Sequence, residues 1–305
     1  EKNITLISVT SSVSQTHQVH EILSELVDQT SDWTRTAVVL PNEELLIPLI
    51  HTIPSDIEKI NVTMGYPLRA TSAFMVVAYP EQYITPMPTT CEEYIRCMQE
   101  QLNLLRTSEN SESIYLMLKT LERIEKAIGQ YTDIKFTVHA IQQLHKMLTM
   151  EMTIPYTGEP LEGLQIMGVL ETRALDFDNI IITDFNDDIY PGRSRGNSFI
   201  PYTLRRGFDL PTVERQDAIF SYNFYRMLSH ANNIWFIANT HADDQHSGEL
   251  SRYYYQLLWQ YQVPIKHITI NDKDDDNGNY LSGSFRTFIN PSAEFLLLLT
   301  FILNS

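Results

Sequence analysis

Between Asn3 and Val9 the chain reads NITLISV, a β-branched run closed by Thr10-Ser11-Ser12, and such a run predicts a strand. Val19, Ile22, Leu23 and Leu26 then recur three and four apart, so Gln18 to Leu26 is expected as an amphipathic helix. Thr36 to Leu40 (TAVVL) is a short apolar run of the kind found in parallel strands buried on both faces. Pro41 and Asn42 open a second helix through Leu45, Leu46, Leu49 and Ile50. Lys59 to Met64 (KINVTM) predicts a third strand, ended by Gly65-Tyr66-Pro67. Strand, helix, strand, helix in succession predicts a parallel α/β sheet.

From Thr89 to Met150 the pattern changes. There is one glycine, Gly129, and no proline, and Tyr115, Leu118, Leu121, Ile124 and Ile128 keep helical spacing. A block of three helices is expected, bracketed by the proline-rich stretches Pro80 to Pro88 and Ile154 to Pro160. Strand patterns return at Leu164 to Leu170, at Asn179 to Asp184 and, after a long helix, at Ile234 to Ala238. The expected organisation is therefore an α/β domain over 1–88 and 155–305, interrupted by a helical insertion at 89–154. Ser251 or Glu249 is expected to cap a helix whose Tyr253-Tyr254-Tyr255 packs inward. Asn271 to Asn279 (NDKDDDNGN) predicts a solvated loop and lacks the glycine and glutamate positions of a calcium-binding EF-hand.

Composition narrows the classes. With 22 Lys+Arg against 38 Asp+Glu the net charge is −16, which repels phosphate and argues against an autonomous nucleic-acid binder, while 43% hydrophobic residues supply a core. Cys91 and Cys97 fit neither a zinc pattern nor a disulfide framework, so a reducing, cytoplasmic setting is expected. The histidines form no metal-ligand pair; His17 and His20 share a helix without an acidic or cysteine partner, and metal binding is not expected. No signal peptide is evident, and the longest apolar run, Phe295 to Leu303, is about half a membrane span. A chain that starts on Glu1 and ends on an apolar stretch is expected to be a piece of something longer.

Chemistry concentrates between Gly158 and Gly192. A strand leads into a turn carrying Glu171, Arg173, Asp176 and Asp178, and a second strand leads into an acidic loop closed by Tyr190-Pro191-Gly192. In an open α/β sheet this predicts charge gathered at the strand ends where ligands bind. The plain alternative is that Arg173 pairs with Asp176 or Asp178 to hold the turn. A second concentration is Arg193, Arg195, Arg205 and Arg206, interleaved with Phe199, Tyr202 and Phe208; arginines with aromatics can hold single-stranded nucleic acid, or can simply anchor a loop.

The turn Leu170-Glu171-Thr172-Arg173-Ala174-Leu175-Asp176-Phe177 and the loop Asn186-Asp187-Asp188-Ile189-Tyr190-Pro191 resemble motif V and the following strand and loop of the UvrD/RecB superfamily 1 helicases. The run Phe224-Tyr225-Arg226-Met227-Leu228-Ser229-His230-Ala231, leading into an apolar strand, resembles their motif VI. The variant is similar to AddB-like proteins, which join a helicase fold to a PD-(D/E)XK nuclease. The resemblance implies a RecA-like α/β domain, the second motor domain (2A) of a P-loop NTPase-type motor, with a 2B-like helical insertion. It implies a DNA-repair helicase and nuclease in which Arg173, Asp176 and His230 face an ATP cleft. Gln165, Arg193, Arg195, Arg205 and Arg206 would face single-stranded DNA.

Two departures qualify what the resemblance implies. His230 stands where the helicases place an arginine against the γ-phosphate, and an imidazole replaces a permanent, fork-shaped cation poorly. Arg173-Ala174 replaces Lys-Gly, keeping the charge but losing glycine's backbone freedom. No G-x-x-x-x-G-K-[ST] loop occurs, so this chain alone is not expected to hydrolyse ATP or to hold ATP and magnesium; both would belong to the parent protein. Nor is a nuclease site expected here, since Asp133-Ile134-Lys135 ends the helical block instead of lying on a strand. Implied partners are DNA, single-stranded or at duplex ends, an upstream RecA-like domain, a downstream nuclease domain and an AddA-like subunit. The alternative is a helicase-fold scaffold or DNA-scanning module that supports a nuclease after losing its motor.

Overall fold

The computed structural model describes residues 2–30, 32–108, 110–130, 135–156, 162–192, 199–242, 247–274 and 280–288, with 271–274 and 280–288 as backbone. In chain order the first elements are β1 (Asn3–Val9), α1 (Ser12–Val27), β2 (Thr36–Val39), α2 (Leu46–Thr52) and β3 (Ile60–Val62). Then come β4 (Tyr66–Pro67), α3 (Phe74–Ala78), α4 (Cys91–Leu104), α5 (Ser111–Gln130), α6 (Val138–Met150) and β5 (Thr153–Ile154). The chain continues through β6 (Leu164–Met167), β7 (Asn179–Ile182), α7 (Tyr202–Gly207), α8 (Val213–Ser229), β8 (Asn233–Asn239), α9 (Arg252–Tyr255), β9 (Lys266–Asp274) and β10 (Tyr280–Phe288). It divides into two compact units, Met64–Thr157 and the remainder, Glu1–Thr63 with Gly158–Ser305.

The larger unit is a sheet in the order β10-β9-β1-β8-β7-β2-β6-β3. The seven strands from β9 to β3 run parallel, and β10 lies antiparallel on the β9 edge. This is an α/β sheet flanked by helices, consistent with a RecA-like fold. The central strands β2, β6 and β7 are buried along their whole length, as runs such as TAVV and NIII require. Ser11 accepts from the Ser14 amide to start α1, which buries Val19, Ile22, Leu23 and Leu26. Another core gathers Phe185, Tyr190, Phe224, Phe236 and Tyr253, with Phe185 stacked 4.1 Å from Phe236 and Phe224 stacked 4.4 Å from Tyr253. Ser251 caps α9, and Tyr253 and Tyr254 are buried, whereas Tyr255, expected to pack inward with them, is exposed.

A ladder of side-chain amides aligns the amino ends of four neighbouring strands. Asn3 Nδ2 donates to Asn233 Oδ1 at 3.0 Å, Asn233 Nδ2 to Asn179 Oδ1 at 2.9 Å, and Asn179 Nδ2 to Thr36 Oγ1 at 3.1 Å. The registers agree, since Asn3 and Asn179 both pair with Asn233, and Thr36 pairs with Asn179. A one-residue slip would break all three bonds.

Unit Met64–Thr157 holds the three helices of the 89–154 segment, α4, α5 and α6, together with α3 and the short pair β4 and β5. Its core includes Leu68, Phe74, Tyr94, Met98, Ile114, Met117, Leu121 and Ile141. Thr90 and Thr137 cap α4 and α6 through their hydroxyls. Cys91 and Cys97 are free thiols on α4.

One expectation changes. Asn271 to Asp274, read as loop, extends β9, whose backbone pairs with β10 from Lys266 to Asp274; ladder hydrogen bonding there overrides a composition that favours turns. Residues 275–279 of the same stretch lie outside the described residues. Among the described residues no helix is long and apolar enough to cross a membrane.

Candidate functional site

The turn between β6 and β7 determines where the candidate residues lie. Both strands run parallel on either side of β2, so the segment joining them climbs from the carboxyl edge of the sheet back to its amino edge. It is held by short local bonds: Thr172 Oγ1 donates to Val169 O at 2.7 Å, and the Leu175 amide donates to Thr172 O at 3.2 Å. Ala174, at the position where the resembling helicases carry glycine, has φ of +62°, in the left-handed region that glycine favours. Phe177 is buried and fixes the end of the crossing.

The charges of the turn are thereby separated, which corrects the expectation that they gather at the carboxyl ends of the strands. Glu171 stays at the carboxyl edge, lining a cleft of about 210 Å³ with Glu43, Ile189, Tyr190 and Phe220. Asp176 and Asp178 are carried to the amino edge. There the Asp178 amide donates to Arg35 O, and Asp178 O accepts from the amides of Asn232 and Asn233.

Asp176 and His230 meet at the amino edge. Asp176 Oδ1 accepts from Arg226 Nη1 at 2.7 Å and lies 4.0 Å from His230 Nε2. The Arg226 hydrogen bond holds the Asp176 carboxyl below the usual carboxylate range, and the same bond raises the Arg226 guanidinium. Asp178 is paired separately: Arg35 Nε and Nη2 grip its two oxygens at 2.5 and 2.9 Å. His230 is the C-cap of α8. Lys2 Nζ closes that helix end, donating to the carbonyls of Leu228, Ser229 and Ala231 at 2.8, 2.9 and 2.7 Å, while burial lowers its pKa. A cation at a helix C-terminus also meets the negative end of the helix dipole.

Arg173 does not join its neighbours. The partners foreseen for it, Asp176 and Asp178, are taken by Arg226 and Arg35, which other elements bring to the same edge. Arg173 is exposed, and its side chain makes no hydrogen bond or ion pair among the described residues.

Gln165 has a structural task. It is fully buried on β6, its Oε1 accepts from Asn61 Nδ2 at 2.7 Å and its Nε2 donates to Gly163 O at 3.0 Å, so it presents no atom to a nucleic acid. Arg205 Nη1 donates to Pro211 O at 2.9 Å, which ties α7 to the following loop, while Arg206 is exposed. Phe199, Tyr202 and Phe208 are exposed beside them. Arg193 and Arg195 lie outside the described residues. Among the described residues no group of three His, Cys, Asp or Glu side chains could hold a metal ion.

The structure adds a network at the carboxyl edge that sequence reasoning missed. Gln15 Nε2 donates to Asp184 Oδ1, and the Asp184 amide donates back to Gln15 Oε1 at 2.7 Å. Asn186 Nδ2 donates to Asn239 O and Glu249 O, and Asn186 Oδ1 accepts from the Asn239 amide. Arg252 grips Asp187 through Nε and Nη2 at 2.8 and 3.0 Å, and Ser251 Oγ donates to Tyr190 O at 2.6 Å. This network binds the loop after β7 to the start of α9. Polar residues at a strand's carboxyl end are its only sequence signal. For Arg226 the signal was its place one helical turn before His230. No protein-family model matches the chain, and no curated protein is similar enough to count as a match.

Proposed function

We propose that the chain is the second RecA-like portion of an AddB-like DNA-repair helicase and nuclease. Its amino edge, with Asp176 and His230, would form one wall of the ATP cleft, and Arg173, exposed on the same turn, would be the cation offered to the nucleotide. The observation that carries this reading is the meeting of Asp176, from the motif V-like turn, with His230, from the motif VI-like helix, on one open edge. A left-handed residue at Ala174, where the resembling turn has glycine, supports it independently. In this reading ATP is gripped between this edge and an upstream domain carrying the phosphate loop. That domain holds the magnesium, because Asp176 and Asp178 here are committed to arginines. Arg205 and Arg206, beside exposed aromatics, are the residues offered to single-stranded DNA; a nuclease domain and an AddA-like subunit would complete the assembly.

Measuring DNA-stimulated ATP hydrolysis in the parent protein tests the reading. Arg173→Ala should lower it and His230→Arg should raise it; unchanged hydrolysis in both variants rejects the motor reading. A scaffold that scans DNA for a nuclease is the second reading, favoured by the loss of arginine at His230. It expects Arg173→Ala to weaken binding to DNA ends while leaving hydrolysis alone.

A further inference from the structure

The carboxylate of Asp176 occupies the place where two basic side chains from the end of α8 converge. Arg226 donates to its Oδ1 from Nη1, and His230 Nε2 stands 4.0 Å from the same oxygen. The three side chains are 34% (Arg226), 40% (Asp176) and 56% (His230) exposed, so the cluster opens to solvent.

The pairing is one-sided. Arg226 spends Nη1 alone, on Asp176 and on Ser229 Oγ at 3.2 Å, and its other donors make no bond among the described residues. The Arg35–Asp178 and Arg252–Asp187 pairs, by contrast, are gripped at two points. A single-point, half-exposed pair is a weak latch, and a phosphate offers a guanidinium more oxygens and more charge than a carboxylate does.

We propose that Arg226 and His230 form a seat for a phosphoryl group and that Asp176 is its built-in competitor, filling the seat until phosphate displaces it. The cleft reading supplies the source of the phosphate; the competition itself rests on the Asp176 cluster alone. On this view the fixed positive charge missing at His230 is restored by Arg226, one helical turn earlier on the same helix. Because the competitor is tethered, it acts at high effective concentration, and the seat is closed in the free protein.

Calorimetric titration of the 305-residue chain with inorganic tripolyphosphate tests this. Asp176→Asn should bind about tenfold more tightly than the unsubstituted chain, the equivalent of about one hydrogen-bonded ion pair. Arg226→Gln should abolish binding, and the double variant should show no gain. Glu25→Gln, on the exposed face of α1, removes the same charge elsewhere and controls for general electrostatics. The proposal is overturned if Asp176→Asn behaves like Glu25→Gln, or if its gain survives in the double variant. In the unsubstituted chain the Arg226 guanidinium resonance should shift with tripolyphosphate, and a shift at Arg35 alone would also overturn it.

A parallel titration with oligothymidylate separates the sources. A gain confined to tripolyphosphate assigns a nucleotide, and a gain with both assigns backbone phosphate as well. If Arg173→Ala and His230→Arg both leave the parent's ATP hydrolysis untouched while Asp176→Asn still tightens tripolyphosphate, the cleft reading falls and the competitor stands.

Discussion

Acid should loosen the helical unit through one side chain. His145, on α6, is fully buried; its Nε2 donates to Met117 O at 3.2 Å, and its Nδ1 has no hydrogen-bond partner among the described residues. A proton on Nδ1 would place an uncompensated charge in a fully buried site, and burial accordingly lowers the His145 pKa from 6.5 to about 4. The unfolded chain therefore takes up a proton that the folded chain refuses. The associated stability is complete above the unfolded value and is lost as pH falls from 6.5 toward 4. Between pH 7 and pH 5 the loss amounts to about 2 kcal/mol. Urea unfolding followed by helical circular dichroism across that range measures it. His145→Leu keeps the volume and removes the titration, so the variant should lose about 2 kcal/mol less than the unsubstituted chain over the same interval. Taking the difference cancels the other histidines, including His267, whose pKa burial also lowers. Parallel loss in the two proteins would refute the reasoning.

Ala174→Gly should stabilise the larger unit by about 0.5–1 kcal/mol, the relief of a left-handed alanine less the added freedom of glycine when unfolded; an unchanged or lower urea midpoint rejects the strain argument. Asn186→Ala should cost about 2–3 kcal/mol, because it strips partners from the Asn239 amide and from the Asn239 and Glu249 carbonyls in a buried site. Amide exchange at Asn239 should accelerate along with that loss, and preserved protection there would show that the network does not hold the loop.

The central sheet was legible because its strands are buried on both faces, so that TAVV and NIII could hardly be anything else. Helices α4 to α6 were legible from the apolar spacing and from a stretch with one glycine and no proline. The end of β9 was not, because its ladder pairing with β10 outweighs a turn-favouring composition and leaves no mark in the residues of β9 themselves. At the site, the resemblance brought out Asp176 and His230, but the groups that define their surroundings come from distant parts of the chain. Arg226 lies 50 residues from Asp176, Arg35 lies 143 from Asp178, and Lys2 lies 226 from Leu228. Local reasoning offered Arg173 as the partner, and tertiary structure supplied others.

The same crossover that misled the local reading gives the two sheet edges different capacities. A connection between parallel strands must travel the height of the sheet, so the motif V-like turn leaves Glu171 at one edge and Asp176 at the other. At the carboxyl edge Asn186, Asp187, Ser251 and Arg252 bond one another and the backbone, and that investment holds a loop in place. At the amino edge Arg226 retains unused donors beside an exposed imidazole, and its one carboxylate partner is held at a single point. A ligand gains little by breaking satisfied bonds and more by engaging open donors. If the proposed competition at Asp176 holds, that asymmetry would place an anion-responsive site of this acidic chain at the amino ends of its strands, where the general rule for open α/β sheets would not have looked.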